Sequence, residues 1–535
     1  MKICCLKNSY INTAEEYTIS CLLNRCGFFF EWVSDAAAKK EEALLLIYDS
    51  EENPEKNDSG VIHLYKQFNL RELSKINYEW AETKIGNRRI PLLKNPESPA
   101  ISSSNPSISS FDLIANLYFH LTRIEEIHFK HPEDVDKQVQ KSILFKHGNF
   151  MVPVIDILAE LFQQNVQTKF RDHNLFLTNK AFYPAGEDFG IALTHDVDFI
   201  RAFHPLKKII LKLSILAGFK KDKNVEEIEK SDQMTWGFDR LLAFYKENNF
   251  RATFFFMAKY LEGLHFRYQI KSKKIKKLLS DIVSQSHEVA FHPSRYAFEH
   301  PARYLREKTR LEKISGANIS GLRHHYLRCL FPDIWRKAAE LNLKYEAGMI
   351  HRRYGGFRAG TCFPFPAFDH NNQEFIDIIE LPTIFFENTL PDSGNDTEAS
   401  KNKIQELLSV VKNLGGLLNI LWHSNNIFQP DNYNELWNFI IDLIKKENAY
   451  IHPLAEHYNW HKLRNQICME SFQKTDTGYV IELQIPQGTE QFCLFVPENY
   501  HYMSKSALQY DRIQSKLVVY CNGTATKLVI EAQAI

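Results

Sequence analysis

The sequence predicts an α/β protein organised around a parallel sheet or barrel, and three observations lead there. Between about residues 186 and 460, short apolar runs alternate repeatedly with helical patterns, the rhythm of strands covered by helices. After about 465 the chain turns to β-rich runs broken by P-Q-G-T and N-G-T, as in a small antiparallel unit. Residues 1 to about 185 mix short apolar runs with two helical patterns and carry no catalytic constellation. The expected division is therefore an α/β accessory domain over 1–185, a barrel over 186–462 and a small β-rich domain over 463–535. A chain of 535 residues is too long for one ordinary core, in keeping with that division.

Taken in order, residues 14–26 form the first helical pattern, followed by the strand-like run 28–33 and the apolar runs 43–48 and 61–65. A polar loop over 102–110 precedes a second helix over 111–127, with Leu113, Ile114, Leu117, Tyr118 and Leu121 at helical spacing. Strand candidates then follow at 191–194, 252–257, 288–292, 320–323, 343–346, 376–381 and 417–422. Helical patterns lie between most of them, at 232–248, 271–285, 301–314, 334–341 and 399–414. Seven such strands fit a barrel better than a half-sheet. The stretch 204–218 sets Lys207, Lys208 and Lys212 against Ile209, Ile210, Leu213 and Leu216. A membrane-surface helix has that pattern, but a solvated helix packed on the domain is the expected reading. The last β-rich runs are 479–485, 492–496, 517–521 and 527–531.

Composition narrows the function classes. Lys+Arg and Asp+Glu balance at 65 each, so no global field recruits nucleic acid or an anionic membrane. Hydrophobic content of 44% and charged content of 24% are those of a soluble globular protein. Aromatic content of 13% suits thick cores and sugar-stacking surfaces alike. The start, M-K-I-C-C-L-K-N-S-Y, has no apolar signal region, and no stretch has the uncharged length of a membrane span. Nine cysteines without a C-x-x-C pair fit reduced thiols, so a cytoplasmic location is expected.

The chemistry gathers at strand ends. In G-I-A-L-T-H-D-V-D-F-I (190–200), an apolar run meets His195, Asp196 and Asp198 with no turn residue between. Such groups are costly to bury unless paired or metal-bound. His292 ends E-V-A-F-H, Arg323, His324 and His325 follow S-G-L, and His423 follows L-N-I-L-W. Each alone has a bland explanation: a helix cap, a core histidine, a structural ion pair. In a parallel barrel, however, all of them point to one rim. Carboxylate and imidazole are ligands for Zn²⁺ or a similar ion, which acidifies a bound water. A second carboxylate can then take a proton, a histidine can give one, and an arginine can aim the base.

These motifs resemble those of the polysaccharide deacetylases of the NodB-homology type, metal-dependent carbohydrate esterases on a distorted (β/α)7 barrel. L-T-H-D-V-D resembles the first family motif, A-T-F-F-F-M-A the second-strand sequence, and S-H-E-V-A-F-H-P-S the histidine motif. G-L-R-H-H-Y-L resembles the arginine motif and L-N-I-L-W-H the final one, over about half the chain and in the family's order. H-D-V-D, H-P-S, R-x-H-Y-L-R and G-F-R-A-G-T-C-F-P-F together resemble a variant subgroup, here with an additional N-terminal domain. The resemblance implies that Asp196 is the general base, Asp198 and His292 metal ligands, Arg323 the residue orienting the base and His423 the general acid. It also makes the backbone N–H of Tyr326 a candidate oxyanion donor. The implied activity is removal of acetyl groups from an N- or O-acetylated saccharide by a metal-bound water, most simply on Zn²⁺.

Two departures stand out. Val197 separates carboxylates that the family has adjacent, which leaves base and ligand exchangeable. Tyr296 stands where a second metal histidine is usual. A residue two along an extended segment returns to the same face, so His325 is the expected replacement, with His195 in reserve. Residues 355–369, G-G-F-R-A-G-T-C-F-P-F-P-A-F-D, read as a stiff loop or as a cleft wall with Arg358 and the Phe rings. Cys362 has no base assigned to it by spacing and is set aside as a nucleophile. The rival readings are a non-catalytic carbohydrate-binding barrel with a degenerate metal site, and a metal amidohydrolase on a non-sugar amide.

Overall fold

The computed structural model describes residues 2–34, 43–50, 60–98, 100–148, 150–172, 176–200, 205–217, 235–258, 261–262, 265–266, 268–298, 300–428, 432–506, 508–521, 523–524 and 526–535. Its centre is a curled, mainly parallel sheet. From one edge the neighbours are Phe365–Asp369, Glu374–Glu380, Tyr345–Glu346, Gly321–Leu322, Glu288–Phe291, Thr253–Phe256, Phe189–Val197, Leu417–Leu421 and Thr383–Phe385. Of these, only Phe365–Asp369 runs antiparallel to its neighbour. The curl is large because Leu381 and Pro382 link Glu374–Glu380, near one edge, to Thr383–Phe385, at the other. Strand Ala449–Ile451 pairs with the beginning of Phe189–Val197, while Thr253–Phe256 takes its C-terminal half.

Alternation along the strands sorts side chains into inside and outside. Ala192, Phe255, Ala290, Tyr345, Leu381 and Leu417 meet in one inward cluster, all fully buried. The next layer up holds Thr194, Arg323, Thr383 and Asn419, joined by hydrogen bonds. Gly321 leaves room for that stack: a Cβ there would lie 2.0 Å from the Tyr345 ring. Outward residues such as Ile191, Leu193 and Phe254 pack under helices Phe238–Glu247, Lys273–Ser284, Pro301–Ser315, Asp333–Glu340 and Thr397–Leu414. Lys273–Ser284 shows why: it buries Ile275, Leu278, Leu279 and Ile282, an amphipathic stripe, and Ser272 caps it by accepting from the Ile275 N–H.

The N-terminal segment has its own parallel sheet, Phe30–Val33, Ile3–Leu6, Leu44–Asp49 and Val61–Tyr65, in that order. Helix Thr13–Arg25 begins with a capping box between Asn12 and Glu15. The run expected as one helix over 111–127 splits into Leu113–Leu121 and a short turn of helix at Ile124–Glu126, because Arg123 takes a left-handed backbone. The hairpin Glu79–Ile85 with Arg88–Lys94 and the long helix Val154–Asp172 were not evident from pattern.

The C-terminal part is built of two antiparallel sheets. One orders Cys468–Thr475, Gly478–Ile485, Thr526–Ala534 and Tyr500–Ser504; the other Gln509–Ile513, Lys516–Tyr520, Gln491–Phe495 and Asn179–Lys180. The last strand comes from before the barrel, so the second sheet joins segments that precede and follow the barrel.

Candidate active site

Because side chains alternate, the H-D-V-D strand turns Ala192, Thr194 and Asp196 inward, and Asp198 continues that face. The same parity runs through Leu417, Asn419, Leu421 and His423, through Ala290 and His292, and through Arg323 and His325. One rim of the curled sheet thus collects Asp196, Asp198, His292, Arg323, His325 and His423. The residues between them face away. His195 donates or accepts at both ring nitrogens, with the Trp422 carbonyl at 2.8 Å and the Tyr245 hydroxyl at 2.5 Å. His324 packs beside Tyr304 and Phe298. The reserve role for His195 is therefore withdrawn, since both of its nitrogens are engaged on the outer face.

Asp198, His292 and His325 form a buried group whose ligand atoms all lie within 4.8 Å of one another. Asp198 Oδ1 is 3.3 Å from His292 Nε2, and Oδ2 is 3.2 Å from His325 Nε2. His292 Nδ1 lies 2.6 Å from the Arg323 carbonyl, which can only accept, so Nδ1 carries the proton. Its other nitrogen, Nε2, faces Asp198 and, 3.7 Å away, Asp196 Oδ2. Among the described residues neither His292 Nε2 nor Asp198 Oδ1 has a hydrogen-bond partner, although both are buried. Acceptors turned on each other in this way suit a shared cation. Burial alone would raise the Asp198 carboxyl, yet His325 and His292 hold it well below the usual carboxylate range.

Beside this group sits a clamped arginine. Arg323 donates from Nη1 to Asp196 Oδ1 at 3.1 Å and to Thr194 Oγ1 at 2.8 Å. Its Nε donates to the Ala347 carbonyl and its Nη2 to Thr383 Oγ1, and the guanidinium lies 4.3 Å from the Phe255 ring centre. Nothing in this arrangement is free to turn.

His423 is held by a residue that the sequence reading missed. Glu387 Oε1 accepts from His423 Nδ1 at 2.8 Å, from the His423 backbone N–H and from Asn426. Burial pulls the imidazole down, but Glu387, with Asp198 and Asp196 behind it, pushes it up to about 10. His423 Nε2 lies 3.9 Å from Asp198 Oδ2. A register shift between Thr383 and Phe385 breaks the strand alternation just before Glu387, so no spacing argument places it at the rim.

These groups open into a cleft of about 720 Å³, whose walls include Tyr326, Arg352, Arg353, Phe386, Asn388 and Asp136. Tyr326 has φ of 61° and is exposed. Asp136 comes from the N-terminal segment, accepts from Arg352 at 3.0 Å and lies 3.4 Å from His351. Arg358 does not form the cleft wall expected of it: it is buried and paired with Glu126 at 2.6 Å. Cys362 is buried too, its thiol pushed well above its ordinary value by burial and by Asp156 beside it. The Tyr296 side chain, on which the question of the missing ligand turned, lies outside the described residues.

Residues 5–171 match a family of unknown function, DUF7033. No curated protein matches the chain. Among solved structures, a candidate polysaccharide deacetylase of Mycobacterium smegmatis is 16% identical, covering 53% of this chain and 93% of its own, with a TM-score of 0.37. The PuuE allantoinase is 13% identical over 52% of this chain and 92% of its own, with a TM-score of 0.38. The peptidoglycan deacetylase PdaC of Bacillus subtilis is 13% identical over 53% of this chain and 95% of its own, at 0.28. Likeness at this level establishes neither substrate nor activity.

Proposed function

We propose that the chain is a metal-dependent hydrolase removing acetyl groups from an N- or O-acetylated saccharide. The observation that carries this reading is the buried Asp198, His292 and His325 group lying beside both a clamped carboxylate and a charged histidine. A carboxylate and two imidazoles suit Zn²⁺ and leave a position open to the cleft. The sheet is read as the seven-stranded barrel of the deacetylases, with Glu374–Glu380 and Thr383–Phe385 counted as one bent strand.

Asp198, His292 and His325 would hold the ion, which when bound supplies a Lewis acid and acidifies water. Asp196 is then the base, taking the proton of the attacking water. Arg323 fixes its carboxylate through Oδ1 and leaves Oδ2 facing the site. His423, opposite, is charged at neutral pH and gives its proton to the departing amine or alkoxide. Glu387 keeps that proton on the ring between turnovers. Tyr326 borders the same cleft, where its backbone N–H would meet a developing oxyanion.

Metal content after dialysis, with hydrolysis of acetylated chitooligosaccharides in added Zn²⁺ or Co²⁺, tests the reading. Wild type should retain about one divalent ion per chain, and His325→Ala and His292→Ala should each lose it. Asp196→Asn should keep the metal while activity falls by about 10² or more. Retention of metal by both histidine variants would overturn the ligand set.

A further inference from the structure

A second cavity lies where helix Thr13–Arg25 meets residues 361–366 and helix Leu454–Gln466. Among the described residues it shares no wall with the active-site cleft. Its volume is about 180 Å³, and an apolar space of about 150 Å³ already takes up benzene. Leu117, Leu121, Ile155 and Phe365 give it buried apolar walls, while Phe375, 51% exposed, borders its mouth. Asn24, Arg25, His461 and Asn465 add polar groups to the lining. Mostly apolar walls with a few placed polar groups describe a small-molecule site.

The polar groups have donors to spare. His461 is 5% exposed, and the Asn465 amide donates to its Nε2 at 3.1 Å, so the proton is on Nδ1. That Nδ1 is buried with no hydrogen-bond partner among the described residues. Burial, with Arg464 and Lys180 nearby, pulls the ring down to about 3. The Arg25 side chain is 13% exposed, and its guanidinium lies 3.5 Å from the centre of the Phe363 ring. Its bonds to Asp156 Oδ1 and to the Leu414 carbonyl are both long, at 3.4 Å. Asp156 gives its short contacts to Thr361 and the Cys362 backbone instead, at 2.8 and 2.9 Å.

The surroundings are cationic as well. Arg464 donates to the Asn24, Lys180 and Ala181 carbonyls and to Asn465 Oδ1, and Lys180 Nζ to two further carbonyls. All of these acceptors are uncharged. Burial and the neighbouring Arg25 pull Arg464 down to about 9, and burial and Arg464 pull Lys180 down to about 7. The acids that face Arg25 are Asp156 and Glu160, and Glu160 is shared with Arg88. Four cations against two acids leave a positive excess beside a space that one ring fills, and a buried positive excess favours an anion.

We propose that this cavity binds a small monocarboxylate built on a single apolar ring. The carboxylate sits on the Arg25 guanidinium, with the His461 Nδ1–H as a second donor in the same lining, and the ring lies among Leu121, Ile155 and Phe365. A molecule held in this way touches both the N-terminal helix and the barrel, so binding stabilises their junction.

Titration of the purified full chain with phenylacetate and with its neutral isostere phenylacetamide, followed by ligand-observed NMR, tests this without reference to activity. Phenylacetate should bind with a Kd of about 1 mM or less, at least about tenfold more tightly than the amide, and should raise the thermal midpoint. Ser20→Phe, which fills the cavity from the helix, should lose both ligands. Arg25→Gln should bring phenylacetate down to the level of the amide, whereas Arg25→Lys should keep the preference. His325→Ala, in the other cleft, should bind phenylacetate as wild type does. Each variant should keep the wild-type circular dichroism. A wild type that binds neither ligand at 10-fold the expected Kd, or binds both equally, would overturn the inference. So would binding that survives Ser20→Phe, or that is lost in His325→Ala, which would put the carboxylate in the active site instead.

Discussion

His423 shows how one buried neighbour sets a role. Its imidazolium owes its persistence to Glu387, which accepts two bonds from it. Replacing that carboxylate with an amide keeps the shape and removes the charge, so burial then acts unopposed by its largest counterweight. Glu387→Gln should therefore bring the alkaline limb of the rate profile down by about one pH unit or more. The same pairing contributes to stability: the raised value means its contribution is full below about 6.5 and is lost as pH rises through about 10. Measuring pH–rate and pH–stability profiles of both proteins checks the two effects. His195 makes the complementary case. His195→Ala should leave metal content unchanged but destabilise by about 1–3 kcal/mol, because the Tyr245 hydroxyl and Trp422 carbonyl lose a buried partner. Parity along the strand already separated His195 from Asp196 and Asp198, so this was readable from residue numbers alone. Glu387 was not readable in that way, because the irregularity after Thr383 breaks the count.

At the level of elements, the strand–helix rhythm was legible because the central strands Phe189–Val197, Thr253–Phe256 and Leu417–Leu421 carry apolar residues on both faces. Strands Gly321–Leu322 and Tyr345–Glu346 are very short, yet the turn and helix signals around them still marked their places. What pattern did not reveal is how the N-terminal segment reaches the cleft. Its residues 123–136 grip the loop after Tyr345–Glu346: Glu126 pairs with both Arg123 and Arg358, Arg123 donates to the Arg358 carbonyl, and Asp136 holds His351 and Arg352. Contacts separated by some 200 residues leave no local signature in a sequence. Glu126→Gln should destabilise the fold by about 3–5 kcal/mol, since it leaves the buried Arg358 guanidinium without a carboxylate and Arg123 with Glu125 alone. Burial works against the Glu126 carboxylate, but Arg123 and Arg358 bring it down to about 2. Its contribution is thus full above about 4.5 and lost as pH falls towards about 2. Urea titrations of wild type and variant at pH 7 and pH 3 should show the gap narrowing in acid.

For the molecule as a whole, the contacts join the three parts more tightly than composition suggested. Tyr17 donates to the Pro366 carbonyl at 2.8 Å and stacks on Phe368 with ring centres 4.6 Å apart. Asp156 accepts from Thr361 and from the Cys362 backbone, so a helix before the barrel fixes the G-T-C-F-P-F loop. Lys180 bonds to Gly27 through its backbone N–H and to the Arg464 and Ile467 carbonyls through Nζ. A Cβ at Gly27 would stand 2.1 Å from the Lys180 carbonyl oxygen, which is how closely those segments pass. The boundary at 185 also severs Asn179–Lys180 from Leu494 and Phe495, leaving the edge of the C-terminal sheet open. A fragment of residues 186–535 should therefore expose the apolar surface at Phe368 now covered by Tyr17 and Tyr118, and aggregate or fail to reach the native circular dichroism. The full chain should unfold in one calorimetric transition, with loss of metal and loss of secondary structure coinciding. Two separated transitions, or a soluble 186–535 fragment that binds metal as tightly as the full chain, would show instead that the barrel stands alone and that the N-terminal segment is only appended to it.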